Sequence, residues 1–459
     1  MIPHSIKHYL TRFQAEYHQI HHEPTETLCQ AARVSGVPVA ELLRAVMLVD
    51  AHGLVMAIVP HDHLLDFAAL CQLLQRELEP VPAARLQTIF DDCEANCCPP
   101  LPGAYGLEAV VDQSILELAQ VYLEPGVHDT LLGMTGREFR RLTKEAKIGE
   151  FSRPVVQLHH NDPLASLDTD IERFTPARVK RTVEEFHDLP SLPGTAARIL
   201  EIAHDPRAGA ADLARVIEQD APLAAKVMRY ANSPLYGFPN KIKDVKSAIA
   251  RVLGFDFVLN LALGITVGKT LHIPMEGILG LDAFWRHSVH CAALVERLAR
   301  ALPAEIQPRR GTAYLAGLLH NIGVLLLGHA FQPEFFLLNR YLEANPHVPM
   351  AELEKHLLGV THDQIGGWLL KSWGLPEELV VAARHHHDED YWDRHALYAQ
   401  LVMIANRALS RRGIGPADPA EIPAFTLDLL ELRPEQVAEL ADCVVAGSEE
   451  LDELARLVA

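Results

Sequence analysis

The sequence predicts two domains of different class: an α/β domain in the first third, then an all-α domain over most of the rest. Three observations predict this. Short β-type apolar runs alternate with helical ones up to residue 147; a turn-rich stretch of weak periodicity follows; from about 177 onward nearly every apolar pattern has helical spacing. At 459 residues the chain is too long for one ordinary core, which independently favours at least two domains.

In the first domain, residues 1–147, LLRAVMLVDAHGLVMAIVP (42–60) reads as two strands around a turn at Asp50–Gly53. DFAALCQLLQREL (66–78) has helical spacing, and LEAVVD (107–112), VYLEPG (121–126) and DTLLGM (129–134) read as strands. REFRRLTKEA (137–146) closes the domain as a helix. Residues 148–176, with their Asn-Asp-Pro turn signal, read as a linker.

The second domain is assigned to 177–412. In ADLARVIEQDAPLAAKVMRYANS (211–233), Pro222 opens a second helix. FWRHSVHCAALVERLARAL (284–302) places Phe284, Val289, Ala292, Ala293, Val295 and Leu298 on one face. Thr361 to Gln364 has the form of a capping box, so a helix starts there and stops near Gly374–Pro376. Residues 413–459 form a helical, acidic extension, read as a cap on the bundle.

Composition narrows the function. A net charge of −19 argues against extensive contact with nucleic-acid backbones or anionic membranes, which need a dense positive surface. Seven scattered cysteines, none in a Cys-x-x-Cys pair, fit reduced thiols in a cytoplasmic protein. Cys93, Cys97 and Cys98 lack a matching ligand pair in the sequence, so they are read as thiols rather than a metal site. No residue between Arg310 and Glu334 is charged, long enough to cross a bilayer. His320, Asn321 and His329 inside it favour a core helix instead.

Histidine recurs on four segments of the second domain: His287 with His290, His320, His362, and His385 to His387. Each alone is best read as a core or surface residue. Together they have the form of a site drawn from facing helices of a bundle.

Their order resembles the HD superfamily of metal-dependent phosphohydrolases. More closely, HDLPSLPGTAARILEIAHDP (187–206), LARVIEQDAPLAAKVMRYANSPLYG (213–237), VKSAIARVLGFDFVLNLALG (245–264), LLHNIG and GGWLLKSWGLPEELVVAARHHH resemble HDOD domains, the HD-related output domains of bacterial signalling proteins. The resemblance implies a site at His287, His320, Asn321, His362, His386 and Asn406. In an active HD enzyme the second member of the doublet is Asp, and a later Asp is expected where Asn406 stands. A carboxylate about 4 Å from a cation contributes roughly 4 kcal/mol per unit charge at an effective dielectric near 20. Losing two should therefore cripple a two-metal centre. No cofactor is expected; His287, His320, His362 and His386 leave room for a single weakly bound divalent metal.

The first domain resembles the YbaK family of trans-editing aminoacyl-tRNA deacylases, through SGVPVAELLRAVMLVDAHGLVMAIVPHDHLLD (35–66), FDDCEANCCPPLPGAYGLEAVVD (90–112) and REFRRL. The family's strand lysine corresponds to Arg44, a bulkier group that stays charged. Asn96 and Pro102 stand where glycines are expected; Asn96 can adopt a left-handed conformation, whereas Pro102 cannot. Pro99, Pro100, Tyr105 and Gly106 are retained, so the pocket's shape is expected to survive with impaired chemistry.

The resulting expectation is a bacterial cytoplasmic signalling protein with no catalytic residues. Its first domain would bind a small aminoacyl-like ligand, a nucleotide or a protein, and its second would act on a protein partner. The alternative is an enzyme: a deacylase working through Arg44, or a phosphohydrolase with a histidine-only metal site.

Overall fold

The computed structural model describes residues 2–156 except 26, and 192–458 except 206, 233–240, 269, 276, 417 and 419. Most of the expected linker therefore lies outside the described residues, as does the start of the HDOD-like segment at 187–191. The chain divides into two compact units, residues 1–168 with 340–345, and residues 169–339 with 346–459.

The first unit is built on a mixed sheet. Its strands are β1 (His18–His21), β2 (Leu42–Asp50), β3 (Gly53–Pro60), β4 (His63–Leu65), β5 (Glu79–Pro80), β6 (Glu108–Asp112), β7 (Gln120–Leu123), β8 (Thr130–Thr135), β9 (Lys147–Gly149) and β10 (Ser152–Pro154). The main sheet runs β1-β8-β7-β2-β3-β6-β9, with β5 also pairing β2, while β10 pairs with β4. β2 and β3 form the predicted hairpin, in which Leu43 faces Pro60 and Asp50 faces Gly53. The turn is held by Asp50, whose Oδ1 accepts from the backbone N–H of His52 and Gly53 at 2.8 and 3.1 Å. Leu43, Met47, Met56, Ile58, Val111 and Leu132 share one buried cluster with Phe90 and Phe139. Both faces of the central strands are apolar, as expected of a sheet covered on two sides.

One expectation is corrected here. Residues 148–154, taken as the start of the linker, complete β9 and form β10. The run is too short and too polar to show a strand period, and it is ordered by pairing with β6 and β4.

In the second unit every assigned element among the described residues is helical. Ala210–Glu218 and Ala221–Ala231 are the predicted pair, and the Asp220 side chain caps the second by accepting from Leu223 N–H at 2.9 Å. Leu281–Ala301 buries all six residues predicted for its inner face. The acidic tail is helical as expected and ends in two helices, Pro434–Ala446 and Ser448–Val458.

The uncharged stretch after Arg310 is also two helices, Arg310–Leu319 and Ile322–Ala330, with His320 and Asn321 at the junction. Asn321 lies at φ −96°, ψ 16°, off the helical values. Across this stretch 94 % of the most apolar window is buried inside the protein, which fits a core segment rather than a bilayer span. The predicted capping box is half right. A helix does start at His362, but Thr361 makes no side-chain cap. Glu354 replaces it: its Oε2 accepts from the His362 backbone N–H at 3.0 Å.

Candidate functional site

Glycines set the position of the His320–Asn321 junction. A Cβ on Gly317 would stand 2.7 Å from Ala292 Cα, and one on Gly323 would stand 2.0 Å from the His362 carbonyl oxygen. The junction is thereby pressed between the His287-bearing helix and the helix that begins at His362.

The expected histidines do converge. Ring centroids of His287 and His320 are 5.3 Å apart, His320 and His386 4.9 Å, and His362 and His386 5.3 Å. His387, which the sequence reading left out of the core set, lies 5.1 Å from His362. His320, His362 and His386 are buried, and His387 is exposed at the rim.

Their tautomers follow from their partners. His320 Nδ1 meets the Gly317 carbonyl at 2.8 Å, and His386 Nδ1 meets that of Ala383 at 2.9 Å. His362 Nδ1 meets Glu354 Oε2 at 2.7 Å. Each of these oxygens can only accept, so each Nδ1 carries a proton and each Nε2 presents a lone pair when the ring is neutral. Yet His362 Nε2 is 3.3 Å from His386 Nε2 and 3.2 Å from His387 Nε2. A second proton on His362, or a cation, must relieve that convergence.

Charge distribution favours different states in neighbouring rings. Burial opposes protonation of His362, but the Glu354 carboxylate outweighs it and raises the pKa. Burial, then the adjacent histidines, holds His320 and His386 well below the ordinary value, and burial with His290 brings His287 down to about 4. The three Nε2 atoms also suit a metal: tetrahedral zinc with N ligands separates them by about 3.3 Å, from bond lengths near 2.05 Å. Glu354 would then be the carboxylate that orients a ligating histidine. His320 Nε2, buried without a hydrogen-bond partner, is a fourth donor nearby.

His287, Asn321, His362, His387 and Asn406 line one cavity of about 50 Å³, with Pro416 and Asp418 at its edge. That volume suits a cation with a few waters, not a nucleotide. A neighbouring cleft of about 270 Å³ shares His287, Asn321, Met350 and Pro416 with it. Asn321 Oδ1 is buried and unpartnered, and Asn406 Oδ1 accepts from the Cys291 thiol at 3.2 Å. Asp418 and Glu354 escaped the sequence reading, and His387 was noted only as part of the 385–387 run. Only Glu354 had a usable signal, a carboxylate eight residues before His362. Asp418 stands 3.7 Å from Arg407 Nε.

In the first unit, Arg44 is buried on β2, and burial lowers its pKa to about 9. Its guanidinium donates to His63 O at 2.9 Å, Ala344 O at 2.7 Å and Asn345 Oδ1 at 2.8 Å. Asn345 Oδ1 also accepts from Leu65 N–H at 2.9 Å. Among the described residues the guanidinium makes no hydrogen bond to the 96–106 loop. Asn96 takes the left-handed conformation, φ 66°, and Gly106 does so at 64°. Pro102 opens a short 3-10 turn, and Pro99 and Pro100 are buried. The Tyr105 hydroxyl lies 3.1 Å from both Asp92 Oδ1 and Cys93 Sγ.

An α/β unit and a helical unit with a histidine-lined pocket define a class: an editing-type domain joined to an HD-type domain. The aminoacyl-tRNA editing domain family matches residues 22–142, and the HDOD domain family matches 189–389. The solved structure of a putative signal transduction protein from Marinobacter aquaeolei VT8 is 32% identical with a TM-score of 0.84, covering 100% of each chain. The chain belongs to the same family as that protein. An uncharacterised Treponema pallidum protein is 25% identical over 58% of this chain and 51% of its own length. The Bacillus subtilis cyclic-di-AMP phosphodiesterase PgpH is 31% identical over 22% of this chain and 13% of its own. The chain thus spans about half of one curated relative and a small part of the other. An editing domain, an HDOD domain and this full-length relative fit a regulatory role.

Proposed function

We propose that this is a non-catalytic regulatory protein of the bacterial cytoplasm, in which the editing-type unit binds a small aminoacyl-like or nucleotide ligand or a protein. On this reading the HDOD unit passes that state to a protein partner. The observation that carries the proposal is Arg44. A catalytic or substrate-binding cation must be free to meet its substrate, and this one is buried, with hydrogen bonds to two carbonyls and an amide. The HD pocket supports the same reading, because Asn321 and Asn406 occupy positions where a two-metal centre needs anions.

A single divalent ion on His362, His386 and His387 is compatible with this role. When bound, it would supply positive charge for a ligand or Lewis-acid polarisation of one. Glu354 fixes the tautomer of His362, and the apolar helices around His320 exclude water.

The competing reading is a phosphohydrolase, favoured by the converging Nε2 atoms and by the Asp418 carboxylate at the pocket. Pure full-length protein should turn over neither aminoacyl-tRNA nor cyclic di-AMP above buffer rates, with or without added zinc or manganese. Hydrolysis of either that disappears in Arg44→Ala or His362→Ala, respectively, would end the non-catalytic proposal.

A further inference from the structure

A second cluster of donors lies in the first unit, away from Arg44. Cys97, Glu124 and His128 come from two loops: the 90–106 segment, and the connection between β7 and β8. Cys97 Sγ is 3.3 Å from Glu124 Oε2 and 3.6 Å from both ring nitrogens of His128. His128 Nδ1 is 3.0 Å from Glu124 Oε1. Cys97 is buried, while the Glu124 and His128 side chains remain 13% and 29% exposed, so the cluster is open to solvent on one side.

The protons identify what this cluster lacks. His128 Nε2 meets the Ala95 carbonyl at 2.9 Å, so it carries the ring proton, and a neutral ring turns the Nδ1 lone pair to Glu124 Oε1. A carboxylate oxygen only accepts. The contact therefore needs either a second ring proton or a cation. The Cys97 thiol separates the two occupants. A proton would satisfy the His128–Glu124 pair and leave the Cys97 thiol as a simple donor to Glu124 Oε2 at 3.3 Å, whereas a cation would take all three groups as ligands. A tetrahedral zinc-class ion would hold S and N donors about 3.6 Å apart, from bonds near 2.3 and 2.05 Å, and Cys97 Sγ and His128 Nδ1 are 3.6 Å apart. Glu124 turns a different oxygen to each, Oε2 at 3.3 Å from the sulfur and Oε1 at 3.0 Å from the nitrogen, and all three groups offer ligand atoms within 4.8 Å of one another.

We propose that Cys97, Glu124 and His128 form a site for one zinc-class divalent cation, with a fourth position open to water. The ion displaces the thiol proton, which leaves to solvent, and the thiolate, the carboxylate and Nδ1 become its ligands. It clips the 90–106 loop, whose turn at Asn96 is left-handed, to the β7–β8 connection. A nucleophilic role for Cys97 is disfavoured, since burial and the Glu124 carboxylate both push its pKa up. A bound dication reverses that preference.

Cobalt(II) titration of the full-length protein tests this, because thiolate-to-cobalt charge transfer absorbs in the near ultraviolet and histidine-only sites have no such band. The band should rise to one equivalent, persist in His386→Ala, and vanish in Cys97→Ser. His128→Gln, at the exposed rim, should weaken cobalt binding about tenfold or more and stands as the decisive variant should Cys97→Ser not fold. No band in the native protein means that His128 and Glu124 are a proton-held ion pair. That result, or a band unchanged in His128→Gln, overturns the proposal.

Discussion

Glu354 Oε2 accepts two hydrogen bonds from one residue, His362: its backbone N–H at 3.0 Å and its Nδ1–H at 2.7 Å. Both side chains are buried, at 0% and 1% exposure. One carboxylate thus starts a helix, selects a tautomer and raises a pKa. Removing one partner of a buried charged pair costs about 3–5 kcal/mol, so Glu354→Ala should destabilise the helical unit by that order. All four tryptophans (285, 368, 373 and 392) lie in this unit, so urea unfolding followed by their fluorescence reads it separately. An unchanged midpoint would mean that the pair contributes nothing.

The buried neutral histidines make the same unit acid-sensitive. His287 has a folded pKa of about 4 against 6.5 unfolded, so between those values the unfolded chain binds more protons and stability falls as pH drops. The loss is on the order of 3 kcal/mol by pH 4. His320 and His386, also lowered, act in the same direction. His362, raised, acts oppositely: its contribution is full below about 6.5 and is lost as pH climbs through its folded value. Urea midpoints measured across this range should decline on the acid side, with a shallower slope in His287→Gln.

Gly323→Ala would set a methyl group 2.0 Å from the His362 carbonyl and 2.7 Å from Gly366 N. Neither backbone can yield without moving a helix, so a cost of about 1–3 kcal/mol or more is expected. His362 should shift with it, which imidazole resonances would report. Wild-type stability and spectra would show that the two helices do not pack this closely in solution.

Asn321→Asp restores an anion beside the histidines. At about 4 Å and an effective dielectric near 20 the gain is roughly 4 kcal/mol before desolvation, and affinity for a divalent metal should rise at least tenfold. Calorimetry on metal-stripped native and variant protein measures this. Equal affinities would show that position 321 does not face the ion.

Much of this was legible in one dimension. Apolar alternation at 42–60 located the β2–β3 hairpin, and the six inner residues of Leu281–Ala301 follow directly from helical spacing. The histidine order named residues that the fold brings together, His287, His320, His362 and His386. Asn96 was recognised as able to turn left-handed, because its short polar side chain tolerates that conformation.

Other features were invisible to any local pattern. β9 and β10 are ordered by pairing with β6 and β4, distant in sequence. The break at His320–Asn321 and the loss of the Thr361 cap depend on neighbours, Gly323 against His362 O and Glu354 against His362 N–H. Cys97 had only Cys93 and Cys98 as thiol neighbours in the Cys-rich run; Glu124 and His128 reach it only because the β7–β8 connection folds beside its loop. The sequence by itself determined the class of each domain, its strongly periodic strands and helices, and which residue types could do chemistry, since periodicity and composition are local properties. Only the tertiary structure decided which of those side chains meet, which nitrogen carries the proton and that Arg44 is already engaged. Those depend on distances between residues the chain keeps far apart.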